Sequence, residues 1–76
     1  MTTGIYQSAK VVATATMYSH NGTVYYASLC EHNGKYTATL DVELDSGEIS
    51  MLCAVRYDNR AAAMAGYQHF IEEYSA

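Results

Sequence analysis

Three short glycine-centred turns constrain this chain more than any other feature: residues 20–23 (HNGT), 32–35 (HNGK) and 45–48 (DSGE). Asn-Gly and Ser-Gly pairs supply the positive φ angles that tight hairpins need, and each here separates two runs of strand-forming residues. The intervals are too short and too regular for crossover helices, so consecutive runs are expected to pair antiparallel. Those runs are residues 10–19, 24–31, 36–44 and 49–57, all rich in Val, Thr and Tyr, which suit a pleated surface.

The third run alternates most cleanly. Tyr36, Ala38, Leu40, Val42 and Leu44 fall on one face, and Thr37, Thr39, Asp41 and Glu43 on the other. In the fourth, the same period assigns Ile49, Met51, Cys53, Val55 and Tyr57 to the inward face. The first two runs alternate less regularly and leave their inward faces open. After Tyr57 the period changes to that of a helix over residues 59–74, with Asp58 or Asn59 placed to cap it. Ala63, Met64, Tyr67, Phe70, Ile71 and Tyr74 form one apolar stripe on this helix. Gly66 weakens the helix by about 1 kcal/mol, a cost that a close packing contact would explain. The expected fold is α+β, a four-stranded antiparallel meander with one C-terminal helix packed on one face. Residues before Gln7 either extend the first strand or stay loose.

Seventy-six residues without proline or low-complexity sequence predict one domain, spanning 1–76. A domain of that size buries only about 60% of the surface its unfolded chain exposes, so its core is small. No apolar run approaches the roughly 20 residues of a membrane span, and residues 1–10 (MTTGIYQSAK) lack the basic and apolar blocks of a signal peptide. The expected location is the cytoplasm. There, Cys30 and Cys53 read as buried thiols rather than a disulfide, and Asn21-Gly22-Thr23 as a turn rather than a glycosylation site.

Catalytic chemistry finds little support. Three histidines, two cysteines and eight carboxylates are present, but Cys30 and His32 with His20 are the nearest approach to a ligand set. Structural zinc needs four ligands with paired spacing, and no second CxxC or HxxxH exists. We therefore predict no catalytic residue, metal or cofactor. Eight acids against four bases give a net charge of −4, which opposes a phosphate backbone. Direct nucleic-acid binding and membrane association are both disfavoured.

The sheet face away from the helix is the more informative surface. Asp41 and Glu43 line it, Asp45 and Glu48 continue around the next turn, and Arg56 lies on the neighbouring run with Ser50, Leu52 and Ala54. Tyr25 and Leu29 are expected to join this face from the second run. Acids spaced two residues apart stand about 7 Å from one another and could meet a basic groove on a partner. The same row also serves as a solvated face that keeps the protein soluble. The candidate partner-binding residues are thus Asp41, Glu43, Asp45, Glu48, Tyr25 and Arg56.

Residues 34–67 are similar in layout to several nucleic-acid-binding architectures: the plant ethylene-response-type DNA-binding domain, phage integrase arm-binding domains, and the strand-strand-helix end of double-stranded-RNA-binding domains. Those sheets or helices are basic; here Arg60 alone sits at the helix start and the sheet carries acids. The layout transfers and the activity does not. Residues 56–76 (RYDNRAAAMAGYQHFIEEYSA) resemble the closing segment of small phage and prophage proteins, in which an aromatic and an acidic cap precede an alanine-rich turn. Among these, anti-CRISPR and other anti-defence inhibitors are similar in size, acidity and lack of catalytic motifs. That resemblance implies a phage-type protein that binds a protein of a host defence complex in the host cytoplasm. A self-associating homodimeric module and a divergent nucleic-acid-binding domain are the alternatives.

Overall fold

The structure, a computed structural model, describes residues 10–75. The expectation for residues before Gln7 lies outside them. Four strands, β1 (Lys10–Tyr18), β2 (Val24–His32), β3 (Lys35–Glu43) and β4 (Ile49–Tyr57), form one antiparallel sheet in sequential order. Helix α1 (Arg60–Tyr74) returns across one face. This is the α+β meander with a C-terminal helix that the turn spacing predicts.

The turns explain the meander. Asn33 (φ 52°) and Gly34 (φ 78°) form a two-residue turn whose twist matches the strands it joins. Gly47 (φ 91°) lies in the five-residue connection between β3 and β4, residues 44–48, where the Leu44 N–H donates to the Glu48 carbonyl at 2.8 Å. Asn59, not Asp58, caps α1: its extended backbone lets the side-chain oxygen accept from the Ala62 N–H at 2.8 Å.

Antiparallel pairing puts Ala13, Ala15 and Met17 of β1 beside Leu29, Ala27 and Tyr25 of β2, all on the helix side. Ala38 and Leu40 of β3 continue those rows to Val55 and Cys53 of β4. Above them α1 lowers Ala63, Tyr67 and Phe70 into the core. Small alanines beneath the helix let it approach the sheet, while Leu29 and Leu40 supply the largest fully buried side chains. Burying each contributes roughly 1.5–3 kcal/mol. The predicted helix stripe is the one that packs.

Five face assignments change. Leu29 is fully buried under the helix and Tyr25 packs beside it, its ring 4.9 Å from that of Tyr74 on α1. Neither belongs to the outer face, because the register of β2 with β3 sets Tyr25 opposite Val42 and Leu29 opposite Ala38. Ile49 and Met51 move the other way. A bulge at Leu52 shifts the register so that Cys53 faces Leu40 whereas Met51 faces Asp41. One extra residue exchanges the faces of everything before it, and Ile49 and Met51 stand out in solvent, 54% and 62% exposed. Leu44, assigned inward, lies beyond the end of β3 and is exposed.

The result is a slab measuring 38 × 32 × 15 Å. Its thin dimension accommodates a sheet and one helix, so the outer sheet face has no protein layer of its own among the described residues.

Candidate functional site

The outer face is built from rows of directly paired residues. Thr16, Tyr26, Asp41 and Met51 form one row across the four strands, and Thr14, Ser28, Thr39 and Ala54 form the next. Its centre is hydroxyl-rich, and carboxylates and apolar side chains collect towards the end where β3 meets β4. There Glu43 lies diagonally across from Tyr26, and the Tyr26 hydroxyl donates to Glu43 Oε1 at 2.7 Å. That bond, with desolvation and the carboxylate charge behind it, holds the Tyr26 phenol above its ordinary range.

Asp45 and Glu48 occupy the exposed β3–β4 turn next to this row. Glu43, Leu44 and Asp45 line a shallow groove of about 280 Å³ with Asn21–Val24 of the β1–β2 turn. Asp41, Glu43, Asp45 and Glu48 are therefore brought together at one end of the sheet. Arg56 is not: it pairs with Thr37 and lines a separate groove with His32, Asn33 and Lys35 at the opposite end. Tyr25 lies on the helix side. Tyr26, the neighbour in sequence, takes the place assigned to it.

The topology then sorts the charges. Lys10 begins β1, Lys35 begins β3, Arg56 is next to last in β4 and Arg60 opens α1, so all four bases lie at the β2–β3-turn end. Glu31 and Asp58 share that end, Asp58 accepting from Lys35 Nζ at 3.0 Å in an exposed ion pair of small energetic weight. The other six carboxylates, Asp41, Glu43, Asp45, Glu48, Glu72 and Glu73, lie at the far end, because α1 runs back to bring Tyr74 onto Tyr25. No lysine or arginine among the described residues accompanies them. A net charge of −4 therefore conceals a strongly acidic end and a mildly basic one.

Sequence reasoning missed Tyr26, Glu72 and Glu73 as members of this end. The adjacency of Tyr25 and Tyr26 signals that one of them points outward, but not which. Cys30 faces outward beside Thr37 and Cys53 faces the helix side beside Leu40; both are free thiols and only half-buried. Among the described residues no group of three or more His, Cys, Asp or Glu could hold a metal ion, and no helix is long and apolar enough to cross a membrane.

No protein-family model, no curated protein and no solved structure matches the chain.

Proposed function

We propose that the protein acts by binding another protein, presenting the acidic end of its outer sheet face to a basic surface, and that the partner is a nucleic-acid-handling complex of a host defence system. In this reading it is a phage-type inhibitor of the anti-CRISPR kind, works without catalysis, and meets its target in the host cytoplasm. One observation carries the reading: six carboxylates share one end with no lysine or arginine among the described residues to neutralise them. Such a one-signed field steers a basic partner and raises its association rate. It also opposes direct binding to a phosphate backbone.

Asp41, Glu43, Asp45 and Glu48 are the contact residues, with Tyr26 and Met51 as the apolar surface beside them. Arg56 and Tyr25 stand outside this contact. The test is affinity capture from bacterial lysate at low and moderate salt, comparing the native protein with a D41K/E43K variant. A nucleic-acid-handling complex retained by the native protein, lost on charge reversal and weakened by salt is the expected result. Equal retention by both proteins removes the acidic end as the site.

A second reading, self-association, is favoured by a different observation: among the described residues, apart from Leu44, every large exposed apolar side chain lies on an edge strand, β1 or β4.

A further inference from the structure

β4 is an open edge. It ends the sheet, carries Arg56 as its one charged residue, contains no proline, and exposes Ile49, Met51 and Leu52 within four residues. Unpaired backbone groups beside an exposed apolar run are a template for another strand. The remaining question is which strand fits.

The bulge answers it. Before Leu52 the outward-facing residues of β4 are Ile49 and Met51; after it they are Ala54 and Arg56. A strand laid antiparallel on β4 must match that change of parity, and β4 itself does. When residues 49–56 of two copies pair about a two-fold axis between Leu52 and Cys53, Ile49 faces Arg56 of the second copy and Met51 faces its Ala54, all on the outer side. Ser50 then faces Val55 on the helix side. Moving the register by one residue sets outward residues against inward ones. Moving it by two sets Cys53 against Ala54 or leaves the ends unpaired.

Charge agrees with parity. Antiparallel pairing lays the acidic end of each copy along the basic end of the other. It brings Arg56 to the row that already contains Ile49 and Glu43, and next to Glu48. β1 lacks this self-match. Its irregularity lies near one end, at Val12, so pairing its exposed Val11 with Tyr18 of a second copy sets inward Ala13 against outward Thr16. The register that keeps parity, centred on Ala15, leaves those two unmatched, and the strand's sole charge is Lys10.

We propose that the protein forms a two-fold dimer by antiparallel pairing of β4 with β4 of a second copy, making one continuous eight-stranded sheet with an acidic end at each side. This does not depend on the inhibitor reading. Because pairing along one edge is a small interface, the dimer dissociates on dilution.

Sedimentation equilibrium of the full chain across a concentration series at low salt tests it, with circular dichroism confirming that each variant is folded. Reversible monomer–dimer behaviour is expected for the native protein. Met51→Lys and, separately, Arg56→Glu should each raise the dimer dissociation constant about tenfold or more. The double change E48K/R56E should recover most of the loss caused by Arg56→Glu alone. Tyr18→Lys on β1 should leave the dimer intact. A monomer at every concentration overturns the proposal. So does a dimer indifferent to both β4 variants, or one broken by Tyr18→Lys.

Discussion

The end of the Tyr57 side chain occupies the space that a side chain at Gly66 would take. A Cβ built at Gly66 would lie 2.7 Å from Tyr57 Cζ and overlap its hydroxyl. The last residue of β4 is thereby fitted against the middle of α1, which explains why the helix keeps its glycine. Replacing Gly66 with alanine should gain about 1 kcal/mol of helix propensity and lose more to the overlap. We expect a net destabilisation of roughly 1–2 kcal/mol by urea denaturation. Introducing Tyr57→Phe first removes the overlapping hydroxyl and should reduce that loss measurably. If Gly66→Ala stabilises the protein, the Tyr57 ring swings aside freely and the fit is incidental.

The bulge at Leu52 predicts a contrast between residues that simple alternation treats alike. Met51→Ala, at an exposed site, should change stability by no more than about 0.5 kcal/mol. Leu40→Ala, one strand away and fully buried, should cost roughly 2–5 kcal/mol. In a domain with so small a core, that cost comes close to unfolding it. Equal losses at both positions would mean that Met51 is inside and the bulge absent.

Alkaline pH should expose two tyrosines for different reasons. Burial between α1 and the sheet raises the Tyr67 phenol above its ordinary value of 10.0, and the hydrogen bond to Glu43 raises Tyr26. A group whose pKa is higher when folded stabilises the fold fully below its unfolded pKa and loses that contribution as pH rises through the folded one. The contribution of these two tyrosines should therefore be constant below about pH 10 and be lost above it. Tyr67→Phe should lessen the slope. Ultraviolet titration of the native state should show Tyr26 ionising earlier once Glu43→Gln removes the carboxylate. An unchanged curve would separate Tyr26 from Glu43 in solution.

If the acidic end is a docking surface, its effect must depend on ionic strength. D41K/E43K should weaken partner binding about tenfold at low salt, and the gap should narrow as salt screens the exposed charges. Association rates by surface plasmon resonance should carry most of the change. A loss confined to dissociation, insensitive to salt, would point to packing rather than steering.

The local layer of this architecture is legible in the sequence. Glycine turns at three regular intervals dictate hairpins, and the helical stripe from Ala63 to Tyr74 has one face to bury. Even the purpose of Gly66 could be anticipated. The faces of β1 and β2 could not. Small and hydroxylated residues such as Ala13, Thr14, Ala15 and Thr16 barely distinguish inside from outside, so pairing with β3 decides them, and it turns Leu29 and Tyr25 inward. For the candidate site, the acids Asp41, Glu43, Asp45 and Glu48 are visible in the sequence as a row, and alternation groups Arg56 with them on one sheet face. It does lie on that face, but the antiparallel direction of β4 carries it to the other end.

By itself, then, the order of residues determined the number of strands, their antiparallel sense and the position of the helix, because turn geometry and hydrophobic period act over a few bonds. Tertiary structure alone decided which side Ile49 and Met51 present, since a bulge depends on how β4 settles against β3. It alone also sorted the charges, since six carboxylates scattered over 33 positions meet only when the hairpins and the returning helix fold them to one end. Electrostatic fields add in space rather than along the chain, and that is why the acidic end belongs to the fold.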